Sequence, residues 1–98
     1  MSVSASESGD TVTISVSGRF DFSAHQEFIN AYRDVPKGEK AFVVDLASTD
    51  YMDSSAMGML LQLREHGDKS TKIRLINVNP NIMEILKIAN FDKLFDVA

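Results

Sequence analysis

Ala41-Phe42-Val43-Val44-Asp45-Leu46, then Ala47-Ser48-Thr49-Asp50-Tyr51-Met52-Asp53, then Ser54-Ser55-Ala56-Met57-Gly58-Met59-Leu60-Leu61-Gln62-Leu63-Arg64-Glu65-His66, is the stretch on which the fold turns. The first six residues are short, almost continuously apolar and rich in β-formers. That pattern predicts a strand covered on both faces, the usual state of a parallel strand. Residues 47–53 are polar and read as a connecting loop. Ser54 to about His66 reads as a helix closed by Gly67. A buried strand, a polar connection and a helix together predict a crossover onto a parallel sheet.

Working outward, Thr11-Val12-Thr13-Ile14-Ser15-Val16 alternates cleanly, which marks a half-buried strand. Val3-Ser4-Ala5-Ser6 alternates more weakly and, with Gly9-Asp10 between, completes a hairpin. Gly18 is expected to end the second strand. Ser23 with Gln26 three residues on resembles a capping box, opening a helix to about Arg33 with Ala24, Phe28, Ala31 and Tyr32 as its apolar stripe. Pro36-Lys37-Gly38 stops it. Downstream, Thr71–Val78 reads as another buried strand. Asn79-Pro80 starts a helix with Ile82, Ile85, Leu86 and Ala89 on its apolar side, Asn90 ends it, and Leu94–Val97 supplies a last short strand. The prediction is an α/β fold of one domain over 1–98: a mixed, mostly parallel sheet of four to five strands with three or four helices.

Composition narrows function. The chain has 98 residues, 44% hydrophobic and 24% charged, which is ordinary globular composition with room for one modest core. There is no cysteine, so disulfide scaffolds, thiolate zinc sites and thiol nucleophiles are excluded. Ten basic and fourteen acidic residues give a net charge of -4, which argues against nucleic acid as partner. No apolar run approaches the roughly 18 residues of a membrane span, so no direct membrane insertion is expected. The segment Met1 to Asp10 lacks a basic-then-apolar leader pattern, and a cytoplasmic location is the expectation.

In open α/β sheets, function collects at the carboxyl ends of the strands. Three segments lie there: Gly18–Phe22, Ser48–Ser55 and Asn77–Pro80. Ser54 falls at the cap or first turn of its helix. The bland reading is a helix cap worth about 1 kcal/mol. The functional reading is a phosphorylation site, because a helix N-terminus suits a phosphate. A serine hydrolase is a poor fit: Asp53-Ser54-Ser55-Ala56 lacks the glycines of a nucleophile elbow, and His25 and His66 read as surface histidines without a catalytic arrangement. Asp50 and Asp53 without a third ligand make a weak metal site, and solvation is the better reading. An acidic pair after the first strand, a Gly-rich phosphate loop and a dinucleotide fingerprint are all missing from the sequence. The helix after Ser54 is unusually apolar. Met59, Leu60 and Leu63 are expected in the core, with Met57 and Leu61 turned toward another face as a candidate partner surface. Gly58 inside it implies close approach of a neighbouring backbone.

Val43-Val44-Asp45-Leu46, Met52-Asp53-Ser54-Ser55-Ala56-Met57-Gly58 and Leu60-Leu61 resemble the signature of STAS domains, the anti-sigma factor antagonists and their relatives. Gly18-Arg19-Phe20-Asp21 is similar to the family's glycine-x-hydrophobic-aspartate corner. The resemblance runs along nearly the whole chain. It implies a bacterial binding module, not an enzyme, in a partner-switching pathway. A serine kinase/anti-sigma-like partner would phosphorylate Ser54, a phosphatase would reverse this, and the unphosphorylated form would bind the partner. ATP would belong to the kinase, so the domain needs no cofactor. Asp53 would position the hydroxyl, and Asp21, Ser55, Met57 and Leu61 would complete the docking surface. Ala56 and Met57 depart from the family's usual Gly and Leu. The alternative that the resemblance leaves open is a non-switching STAS subunit of a membrane transport complex.

Overall fold

Residues 2–98 are described by the computed structural model. Strands β1 (Ser2–Ser8) and β2 (Thr11–Phe20) form the expected antiparallel hairpin, and Gly9 takes the left-handed backbone that its tight turn needs (φ 59°). A 3-10 turn (Phe22–Ala24) leads into α1 (His25–Asn30). Strand β3 (Ala41–Met52), α2 (Ser54–His66), β4 (Arg74–Ile76), α3 (Pro80–Ile88), a second 3-10 turn (Phe91–Lys93) and β5 (Asp96–Val97) follow. Spatial order equals chain order, β1-β2-β3-β4-β5, with β2 to β5 mutually parallel. The fold is therefore the mixed, mostly parallel α/β sheet anticipated. Met1, the first residue of the expected 1–98 unit, lies outside the described residues.

One core holds the layers together. Val12, Ile14, Val16 and Phe20 of β2, Phe42, Val44 and Leu46 of β3, and Leu75 of β4 point to the same side of the sheet. There they meet Phe28 of α1, Met59, Leu60 and Leu63 of α2, and Ile82 and Leu86 of α3. Leu60, Leu63, Leu75 and Leu86 are fully buried, the kind of position where truncation to Ala costs about 2–5 kcal/mol. The opposite face carries Thr13, Ser15, Val43 and Asp45, all only half-buried. The helices thus cover β3 on one side, not on both as its apolar run suggested. Val43 made the run look continuous, but Asp45 marks the wetter face.

Several boundaries differ from expectation, each for a local reason. Residues 47–52 of the expected 47–53 loop are strand, and only Asp53 lies outside it. Register shifts against β2 put two extra residues into β3, so Leu46, Thr49 and Met52 face inward at every third position. Thr49 is buried and donates its hydroxyl to the Val16 carbonyl (2.7 Å), which makes a polar inward residue tolerable. Gly18 does not end β2: it adopts φ 83° at the second shift and the strand continues to Phe20. Ser23 is not a cap. Asp21 caps the 3-10 turn, and the α-helix proper stops at Asn30 before a series of turns. The strand expected over Thr71–Val78 shortens to Arg74–Ile76, ended by Asn77 at φ 58°. Asn79 caps α3 as read, accepting from the Ile82 N–H, with Pro80 in the first turn. Ala89 is exposed, outside the apolar stripe. A Cβ on Gly58 would meet nothing within 4 Å, so no neighbouring backbone explains that glycine. His66 is half-buried among Tyr32 and Phe42, with Nε2 against the Val35 carbonyl, and closes the bottom of the core instead of lying free on the surface.

Candidate functional site

Phe20 and Met52 are register partners at the ends of two adjacent parallel strands. Beyond each comes the same local sequence pattern, apolar-Asp-x-Ser-Ala: Phe20-Asp21-Phe22-Ser23-Ala24 and Met52-Asp53-Ser54-Ser55-Ala56. The two corners fold alike. Asp21 has φ -137° and ψ -166°, and Asp53 has φ -129° and ψ -171°. Asp53 Oδ1 accepts from the Ser55 N–H (3.0 Å), the Ala56 N–H (3.2 Å) and the Ser55 hydroxyl (2.6 Å). Asp21 Oδ1 accepts from the Ser23 N–H (3.0 Å) and the Ser23 hydroxyl (2.5 Å), and its Oδ2 from Arg19 Nε (3.2 Å). In each corner the aspartate supplies the acceptor that a helix start lacks, and the serine two residues on is its hydroxyl partner. Both final alanines are buried.

This arrangement divides the work of the neighbouring serines. Ser55 is half-buried and tied to Asp53. Ser54 is the first residue of α2, exposed, and its hydroxyl makes no hydrogen bond among the described residues. The cap is therefore Asp53, and Ser54 is neither the cap nor a partner of that carboxylate. Sequence alone leaves this open, because Asp and Ser are comparable caps.

Electrostatics follow the bonding. The Ser55 hydroxyl, above all, holds the Asp53 carboxyl below the usual carboxylate range, helped by the Ala56 and Ser55 N–H groups and opposed by partial burial and the neighbouring Asp21 charge. The Ser23 hydroxyl and N–H, with Arg19, do the same for Asp21. Both carboxylates are thus ionised at neutral pH and close enough to repel. The rim is acidic, and any further negative charge on it adds to that repulsion.

The remaining predicted residues spread along α2. Met57 is half-buried against the core, so it is partly a packing residue, while Leu61, one turn on, is 39% exposed. Asp50 is exposed, and no cluster of three or more His, Cys, Asp or Glu side chains that could hold a metal occurs among the described residues. Within the Gly18–Phe22 and Ser48–Ser55 segments that the sequence marks, two residues were not singled out: Phe22, which is 70% exposed, and Tyr51, whose ring lies 3.8 Å beneath the Arg19 guanidinium. The repeated apolar-Asp-x-Ser-Ala pattern was the available signal: it places Phe22 in one corner where Ser54 stands in the other.

A mixed, mostly parallel sheet layered by helices on one face, with capped aspartate corners at its carboxyl end, defines a small α/β domain. The chain belongs to the STAS family: the family model described as "Mlab, STAS domain" matches residues 3–96. It is 47% identical over 94 residues to a STAS-domain containing protein of Pseudomonas aeruginosa (strain UCBPP-PA14), covering 95% of this chain and 93% of that one. Among solved structures it is similar to an anti-sigma factor antagonist from Mycobacterium paratuberculosis (TM-score 0.79, 20% identity, 98% of this chain and 83% of that chain). It is also similar to the anti-sigma factor antagonist SpoIIAA in its unphosphorylated form (TM-score 0.67, 19% identity, 89% and 83%). No helix among the described residues is long and apolar enough to cross a membrane.

Proposed function

We propose that the domain is a phosphorylation-controlled protein-binding switch of the anti-sigma factor antagonist type. Its unphosphorylated form binds a serine kinase/anti-sigma-like partner, phosphorylation of Ser54 releases that partner, and a phosphatase resets the cycle. The observation that carries the reading is the exposed, unengaged Ser54 hydroxyl at the start of α2, beside a serine and an aspartate that are both committed to the cap. The two solved relatives, both anti-sigma factor antagonists and one described in an unphosphorylated form, support it.

The physical mechanism is local. A phosphoserine adds about -1.5 to -2 charges at neutral pH. The positive end of α2 favours it by about 0.3–1 kcal/mol, while Asp53 and Asp21 oppose it, so the fold itself changes little. At an interface the same phosphate must be desolvated beside two carboxylates, at a cost of several kcal/mol, which is a hundredfold or more in affinity. The domain works by binding and contributes no chemistry of its own.

The test is the intact mass of the protein recovered from its cells, with and without phosphatase treatment, followed by mapping of the modified residue. A single phosphate on Ser54 is expected. A chain that never carries phosphate, or carries it on another residue, rejects the switch and leaves a permanent binding subunit as the reading.

A further inference from the structure

We infer that Phe22 is the recognition anchor for the protein that phosphorylates Ser54. This rests on the proposed phosphorylation and adds the residue that selects the kinase. Phe22 is a large apolar side chain, 70% exposed, at the acidic rim. It is held rather than loose: its ring stacks on His25 (centroids 5.1 Å apart, planes 17° apart), and its backbone is fixed by the Asp21 corner. Beside it, Arg19 is pinned between Asp21 and the half-exposed Tyr51 ring. A rigid aromatic knob flanked by an arginine and a second aromatic is the residue chemistry that dominates protein interfaces.

The register identifies the occupant. Phe20 and Met52 are paired, and Phe22 and Ser54 each lie two residues beyond through corners of matching backbone, so they stand on the order of 5–10 Å apart. In the phosphorylation step the Ser54 oxygen bonds to the γ-phosphorus of ATP carried by the kinase. The bond from that phosphorus to the ADP oxygen breaks, and the hydroxyl proton passes to a base on the kinase. A kinase close enough to do this covers a patch of roughly 800 Å² around Ser54, and Phe22 lies inside it. The kinase therefore presents an apolar pocket to Phe22. Ile88, 77% exposed on α3, is the contrasting case: it lies on another helix and has no such tie to Ser54.

The experiment measures initial rates of label transfer from γ-labelled ATP to the purified full chain. The kinase source is a clarified extract of the cells that produce the protein, and Ser54→Ala is the blank. Phe22→Ser is expected to lower the rate at limiting protein by at least about tenfold, with much of the loss recovered at saturating protein. Phe22→Leu should stay within about threefold of wild type, since it keeps an apolar side chain, and Ile88→Ser should match wild type. Thermal midpoints of all variants exclude unfolding as the cause. Phe22→Ser phosphorylated at the wild-type rate overturns the anchor alone. Wild type labelled no more than Ser54→Ala overturns the phosphorylation reading, and the anchor with it.

Discussion

Replacing Asp53 by Ala should destabilise the domain far more than replacing Ser54 by Ala. Asp53→Ala removes the acceptor of the Ser55 and Ala56 N–H groups and of the Ser55 hydroxyl. Loss of an N-cap costs about 1 kcal/mol. Loss of a carboxylate at a helix N-terminus adds about 0.3–1 kcal/mol. The stranded Ser55 hydroxyl, half-buried, brings the total to about 2 kcal/mol, slightly relieved by removing the repulsion with Asp21. For a chain of this size that is a fall of roughly 8–15 °C in thermal midpoint. Ser54→Ala removes no hydrogen bond and places a better helix former in the first turn, so it should stay within about 0.5 kcal/mol of wild type. Asp53→Asn keeps one acceptor and should lose less than half of what Asp53→Ala loses. Urea denaturation followed by circular dichroism gives all three values. A Ser54→Ala loss equal to that of Asp53→Ala would refute the division of roles between the two serines and restore Ser54 as the cap.

Gly58→Ala should raise stability by about 1 kcal/mol, because the added methyl meets open space in a helix interior; an unchanged or lower urea midpoint contradicts this. Thr49→Val should lower stability by about 1–1.5 kcal/mol through loss of the bond to the Val16 carbonyl, read from the same midpoint. Carboxyl NMR should find Asp53 titrating below the ordinary range and Ser55→Ala moving it upward. Because the folded value is the depressed one, the cap's contribution is complete above the unfolded value of about 3.9 and is lost as pH falls from there through the folded value. In Ser55→Ala the folded value lies nearer the unfolded one, so less stability should be lost as pH falls below the unfolded value.

What the sequence made readable was whatever a single period or a single strong residue encodes. The α2 bounds Ser54–His66 and the Asn79-Pro80 start of α3 come from a helical repeat with sharp ends. Residues 47–52 were unreadable as strand because the inward positions Leu46, Thr49 and Met52 are three apart, a spacing that no regular strand shows and that the register shifts produce. Asp53 and Ser54 compete for one cap on nearly equal terms, and only the extended backbone at Asp53 decides between them. The Gly18–Phe22 corner was legible as a candidate segment, but Phe22 did not stand out within it, because a phenylalanine beside a predicted helix is ordinarily counted as core. The sheet's wetter face was hidden by Val43, which is apolar yet only half-buried.

The reach of β2 and β3 past their neighbours has a kinetic consequence. Among the described residues, β1 pairs with β2 only as far as Ser17, and β4 pairs with β3 only as far as Asp45. Among the described residues, 19–20 and 51–52 therefore form a two-stranded ribbon tip, and both aspartate corners hang from it. Its root is fastened by the Thr49 hydroxyl on Val16 and by Asn79 Nδ2 on the Thr49 carbonyl (3.2 Å), the same Asn79 whose Oδ1 caps α3. A ribbon without lateral strands opens at lower free energy than the centre of a sheet, so its amides should exchange with solvent sooner than those of Val12–Ser15 and Phe42–Asp45. Since Phe22 and Ser54 both lie just beyond that tip, loosening Thr49 or Asn79 should speed exchange at both corners in step.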